Sequence, residues 1–162
     1  MNTRDIEQVI CKDPVASQRF AGFSFPDAPI ELTTFPTFTI INTDLSTGPG
    51  EHWCVAYFDR RKHCDYFDPL GFPPDNPLMK YNVGHILTQF NTPVQYMDSP
   101  SSVQSIERKT CGDHCTYFAL LRCRGNSFQA ILKLYYSPGN PEINDRRVVQ
   151  FTSKYGVKPR DR

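Results

Sequence analysis

Residues 101–123 read SSVQSIERKTCGDHCTYFALLRC. The polar stretch SIERKT gives way at Cys111 to CGDHCTYFALLRC, which reads as a helix burying much of its surface. Gly125 ends it. Downstream, SFQAILKLYY places Phe128, Ile131, Leu132 and Tyr135 on one stripe and predicts another helix, and NDRRVVQFTSKY predicts a last short one. Upstream, TRDIEQVICKD carries Ile6, Val9 and Ile10 at helical spacing and stops before Pro14. Between these lie strand-like runs. FPTFTIINTD is aromatic and β-branched, HWCVAYF and HCDYFD flank the polar DRRK, and PVQYMD is a shorter run. DNPLMKYNVGHILTQF predicts a helix with Asn76 as N-cap and Pro77 at its first position, weakened by Gly84. The order implies an α+β fold, a small mixed or antiparallel sheet packed between helices, with a cysteine at a helix N-terminus.

The chain of 162 residues is read as a single domain, 1–162, with no internal repeat or low-complexity segment. The formal net charge is +1, so nothing at whole-chain level points to nucleic acid or membrane, although FDRRKH and KYGVKPRDR are locally basic. The first residues, MNTRDIEQVICKDP, lack an apolar core, so a secretory signal is not expected. No apolar run reaches the roughly 18 residues of a membrane span. Cys11, Cys54, Cys64, Cys111, Cys115 and Cys123 are expected as free thiols, because disulfide frameworks belong to shorter secreted chains.

A hairpin turn centred on Arg60 would put His52 and Asp68 opposite each other on one face. A carboxylate there accepts a ring N–H and stabilises the imidazolium. Asp68 fits equally well as the first residue of a DPLG turn. Cys111, at a helix start, feels the positive end of the macrodipole, which favours thiolate, and a neighbouring histidine would make it a nucleophile. The unpaired backbone N–H there, with Gln104 seven residues upstream, offers oxyanion donors, and Gly112 would allow close approach of a substrate backbone. A helix-start cysteine is as readily a small buried hydrophobe. That reading suits Cys115 and Cys123 within the helix, and Cys54 and Cys64 alternate into the strand core. Potential metal ligands are many, but no C-x₂-C pair occurs and no zinc spacing fits, so no metal is expected. His114 is placed on the solvent side of its helix, with His63 and His85 as surface or packing residues.

The order His52, Asp68, Gln104, Cys111, within GEHWCVAYFDRRKHCDYFDPLGF and SVQSIERKTCGDHC, resembles the adenain family of adenovirus maturation proteases. It resembles more distantly the ubiquitin-like-protein proteases of the same clan. The likeness covers roughly residues 1–135. It implies His52 as general base, Asp68 as its orienting acid, Cys111 as nucleophile, and Gln104 with the Cys111 N–H as oxyanion hole. Trp53 matches the tryptophan after the catalytic histidine. The implied activity is a cysteine endopeptidase cutting viral precursor proteins at small-residue or glycine-containing sites during virion maturation. STGPGE and DPLGFPPD would border its narrow cleft.

Alternatives within and beyond the clan are a deubiquitinating or deSUMOylating protease and a non-catalytic interaction module. No cofactor is required for the chemistry. The family's activating peptide bonds to a cysteine, but the corresponding place around Pro93 and Val94 holds none, and the net charge does not support DNA as activator. Protein substrates, a monomer without membrane association, and a place in the virion and the host nucleus or cytoplasm complete the expectation.

Overall fold

The helix Cys111–Cys123 buries Gly112 through Leu121 and Cys123, so apolar contact surrounds it. In a computed structural model describing residues 1–77, 79–80, 82–88, 93–96 and 102–158, the elements run α1 (Thr3–Lys12), β1 (Phe20–Ser24), β2 (Thr37–Asn42), β3 (Trp53–Phe58), β4 (Cys64–Phe67), α2 (Gly84–Leu87), β5 (Val94–Gln95), α3 (Cys111–Cys123), α4 (Phe128–Tyr135) and α5 (Pro141–Ser153). The five strands form one sheet in sequence order. β2, β3 and β4 are antiparallel to their successors or predecessors, and the two edges, β1 on β2 and β5 on β4, are parallel. The fold is α+β, with a mixed sheet.

Every residue of β2, β3 and β4 is buried, because both sheet faces are covered. On one face Phe38, Ile40, Trp53, Val55, Tyr57 and Phe67 meet α1, α3 and α4, with Phe67 stacked on Phe118 at 4.4 Å. On the other, Ile41, Cys54, Ala56, Phe58, Cys64 and Tyr66 pack with Leu32, Val83, Ile86 and Leu87. A strand covered on both faces reads as a continuous apolar run rather than an alternation. α1 is held by a capping box between Asn2 and Asp5, and buries the expected Ile6, Val9 and Ile10. Among the described residues no helix is long and apolar enough to cross a membrane.

Three sequence expectations change. The helix predicted to start at Asn76 and Pro77 begins only at Gly84 and lasts four residues; Asn76 instead closes a turn, its N–H donating to Pro73 O at 3.1 Å. Leu78, Tyr81 and residues 89–92 lie outside the described residues, as do Met97 and Asp98 of the PVQYMD run. β1 had no counterpart in the sequence reading, since Gly22, at φ 128°, sits mid-strand beside an irregular register step. The last helix starts earlier, at Pro141.

Candidate active site

The β3–β4 turn is centred on Arg61, one residue beyond the expected Arg60. Asp59 decides this: its Oδ1 accepts from Arg61 N–H at 2.7 Å and His63 N–H at 2.9 Å, while Lys62 takes a positive φ of 63°. Moving the centre by one residue moves the cross-strand register by two. Val55 therefore faces Phe67, and one step further Cys54 faces Asp68. A shift of two keeps every side chain on its own face. His52, just before β3, and Asp68, just after β4, thus still meet, diagonally, with Nε2 and Oδ1 2.8 Å apart. The Leu70 N–H donates to the same oxygen at 2.7 Å, and the Cys54 thiol donates to Oδ2 at 3.3 Å. Asp68 is buried and fully engaged; it also opens the DPLG turn, its carbonyl accepting from Gly71 N–H. Both sequence readings of Asp68 hold together.

Cys111 is the first residue of α3 and lines the same cavity as His52, whose Nε2 is taken by Asp68. Burial raises the Cys111 thiol, but the hydrogen bond and charge of His52, with a bond from the Trp53 backbone, bring it below its ordinary value of 9.0. For His52 burial again opposes charge. The hydrogen bond to the Asp68 carboxylate, with that to Cys111, outweighs it and raises the imidazole above its ordinary 6.5. These opposed shifts favour a thiolate–imidazolium pair. Cys54, by contrast, is pushed up to about 12, by burial first and by the Asp68 charge second, so it stays a thiol and a donor. His52, Cys54 and Asp68 offer ligating atoms within 4.8 Å of one another and would suit a soft divalent cation, yet each is engaged with the others.

The neighbouring residues divide. Gln104 is buried beside Cys111 on the wall of one cavity of about 750 Å³; its Nε2 donates to Arg108 O at 2.6 Å, leaving its second N–H, and its Oε1 has no partner. Trp53 buries its ring against Phe23 and donates from Nε1 to Met1 O at 3.1 Å. Gly112 does not face the cavity as expected: a Cβ there would meet Met1, Ile6 and Trp53 at 3.0–3.3 Å, so the missing side chain lets α1 and Trp53 close on α3. Gly48, Pro49, Gly50 and Glu51 of one loop and Leu70 and Phe72 of the other line the same cavity. The first loop is stitched from beneath, Asn42 Oδ1 accepting from Asp44 and Glu51 N–H, and Asp44 carboxylate from Leu45 and Gly50 N–H. At Gly48 a Cβ would overlap Asp44 Oδ2 at 2.2 Å.

Cys115 is buried, its thiol donating to Trp53 O at 3.1 Å, and Cys54, Cys64 and Cys123 are buried as expected. His63 is exposed, and His85 reaches Pro26 O at 2.9 Å. His114 is not solvent-side: it is fully buried and bonds Asp145 at 2.8 Å through Nε2. Sequence reasoning missed that pair because its members lie on α3 and α5, 31 residues apart. It also missed the partnership of Cys54 with Asp68, although a residue two beyond His52 shares its strand face.

No family model matches the chain. Over 94 residues it is 27% identical to a cysteine protease from a tick isolate of African swine fever virus, an alignment covering 55% of this chain and 34% of that protein. A protein called SUMO-1 cysteine protease from another isolate of that virus is 26% identical over the same length. The chain thus spans about a third of the length of the curated relatives it matches. Among solved structures, a selenomethionine crystal structure of an African swine fever virus protease superposes with a TM-score of 0.57 at 16% identity, covering 91% of this chain and 66% of that one. The central domain of an uncharacterized Legionella pneumophila protein superposes with 0.53 at 14% identity, covering 98% of both. The α+β, adenain-like fold expected from the sequence is therefore the fold of that viral protease, and the chain is similar to such cysteine proteases over about half of its own length.

Proposed function

We propose that the chain is a cysteine endopeptidase in which Cys111 attacks a peptide carbonyl and His52, oriented by Asp68, carries the proton. The observation that supports this reading is the bond of His52 Nε2 to the Asp68 carboxylate at 2.8 Å in the cavity that Cys111 lines at the start of α3, with the proton affinities of His52 and Cys111 moved in opposite directions. The Cys111 thiolate adds to the carbonyl carbon, and the tetrahedral oxyanion is received by the Cys111 N–H and the Gln104 amide. The C–N bond breaks as the imidazolium Nδ1–H passes to the leaving amine. Water then attacks the thioester while His52 takes its proton, releasing the acid and restoring the thiolate. All of these steps use groups of this chain, and no metal or cofactor is invoked. Protein substrates follow from the chemistry. Cutting at glycine-containing sites of viral precursors during virion maturation, in virion or host nucleus and cytoplasm, is the substrate reading we favour. An activating peptide held by a disulfide finds no thiol at β5, and DNA finds a formal net charge of only +1.

The deciding experiment is the rate of alkylation of each cysteine against pH, read by mass spectrometry, in wild type and His52→Ala. Cys111 is expected to react at pH 6 far faster than the exposed Cys11, and to lose that advantage in the variant. Equal rates for Cys111 and Cys11 would refute the ion pair. A second reading, a deSUMOylating protease, is favoured by the name that one relative carries. A SUMO-derived vinyl sulfone that labels Cys111 more rapidly than a glycine-terminated peptide probe would select it.

A further inference from the structure

Gln104 and Cys111 sit at the two ends of the segment 103–110, whose tip is open to solvent: Ile106 is 86% exposed, although Gln104, Ser105 and Thr110 are buried. One flank of its base is tied to the turn that follows Asp68, the Pro69 carbonyl accepting from Val103 N–H at 2.9 Å and Gln104 N–H at 3.1 Å. The other flank is tied to α5. Asn144 Nδ2 donates to Val103 O at 3.1 Å. Asp145 Oδ2 accepts from Ser105 N–H at 3.2 Å, and Oδ1 accepts from the Thr110 hydroxyl at 2.6 Å and from His114 Nε2–H at 2.8 Å. The residue before Gln104, the residue after it, and the residue before Cys111 therefore all end on two adjacent side chains of one helix.

Thr110 makes this arrangement informative. It is the N-cap of α3, where a threonine hydroxyl ordinarily accepts from a first-turn N–H. Here no side chain caps the helix, because the hydroxyl is turned away to donate to Asp145. The first N–H groups of α3 are left without a side-chain cap, which is what an oxyanion needs of them.

We propose that Asp145 is a positioning residue for the oxyanion hole. It fixes the backbone on which Gln104 rides and, through its bond to the Thr110 hydroxyl, both ties down the start of α3 and leaves the N–H groups there uncapped. This inference rests on the reading of Cys111 as nucleophile. Asp145 touches neither the Cys111 thiol nor the His52 imidazole, so its removal should damage the steps that build an oxyanion and spare those that do not.

The test uses the full chain with two probes. Iodoacetamide alkylates Cys111 by displacement of iodide and forms no oxyanion. A peptide aldehyde ending in glycinal forms a hemithioacetal, whose oxygen needs the hole. In Asp145→Asn and in Thr110→Val, affinity for the aldehyde and kcat on a glycine-containing peptide should fall about tenfold to a hundredfold. KM and the pH profile of Cys111 alkylation should stay at wild-type values. Asp145→Asn placed on Gln104→Ala should add little, since both act through one hole. Thr110→Val removes one hydroxyl at constant shape and carries the test if Asp145→Asn does not fold. Alkylation falling in step with kcat would overturn the proposal, as would unchanged kcat in Thr110→Val. A wild-type Cys111 that alkylates no faster than Cys11 would instead refute the underlying nucleophile, a separate and recognisable failure.

Discussion

Among the described residues, two histidine–aspartate pairs have the same contact, Nε2 to Oδ1 at 2.8 Å, and oppositely shifted proton affinities. His52 on Asp68 is held well above 6.5, whereas His114 on Asp145 falls below it. Burial is the largest single influence on both and disfavours the charged ring in both. The difference lies in what else each pair touches. His52 has Asp68 on Nε2 and the ionisable thiol of Cys111 in the same cavity, and its side chain is 13% exposed. His114 is wholly enclosed; its ring stacks on Tyr136, whose hydroxyl lies 3.4 Å from Nδ1. Its carboxylate is already shared with the Thr110 hydroxyl and the Ser105 N–H. A neutral ring donating through Nε2 and accepting at Nδ1 satisfies every group there. Identical pair geometry therefore does not make a general base; the second nitrogen's neighbour and the remaining demands on the carboxylate do.

The largest effect should come from breaking one pair at a time. His52→Ala should lower kcat by roughly 10⁴-fold or more, as loss of the base does in serine–histidine enzymes. His114→Gln should cost about tenfold, acting only through the segment that Asp145 holds. Comparable losses in a peptide-cleavage assay would erase the distinction. Next, Asp68→Asn keeps the shape of the first pair but removes its charge. We expect kcat to fall by about 10²–10⁴-fold, with faster Cys111 alkylation at pH 6 disappearing as the imidazolium loses its partner. Retained alkylation would mean that the thiol alone sustains the charged ring.

The smallest effect concerns stability, and it distinguishes the second pair by its sign. In the fold His114 binds protons less readily than the ordinary 6.5 of the unfolded chain. Below pH 6.5 the unfolded state takes up a proton that the folded state does not, so this group lowers stability as pH falls through 6.5 toward the folded value. Above 6.5 both states are neutral and the contribution is constant. His114→Gln should be about 1–3 kcal/mol less stable at pH 8, with a shallower decline between pH 6.5 and 5, measured by urea unfolding. An unchanged slope would show that His114 is not the residue titrating.

Much of the site was legible because its signals are local or survive small errors. The period-2 alternation of a strand kept His52 and Asp68 on one face even though the turn centre was misplaced by one residue, since that error shifts the register by an even number. The helix start at Cys111 was marked by an abrupt change from polar to apolar residues. The Asn76 cap signal failed because a local propensity was overridden by turns, with only Gly84–Leu87 becoming helical. Gly112 was assigned to substrate approach when the space it leaves is filled by Met1, Ile6 and Trp53.

What the sequence by itself determined was the α+β order of elements, the buried helix that begins with Cys111, and a strand face able to carry an imidazole beside a carboxylate. Each depends on periodicity within a few turns or one hairpin. Only the tertiary structure decided which histidine is raised above its ordinary value and which is lowered, that Cys54 braces Asp68, and that α5 holds the segment between Gln104 and Cys111. Those outcomes depend on burial and on hydrogen-bond partners far apart in the chain, as with the 31 residues between His114 and Asp145. No local pattern encodes how many donors a buried carboxylate must satisfy.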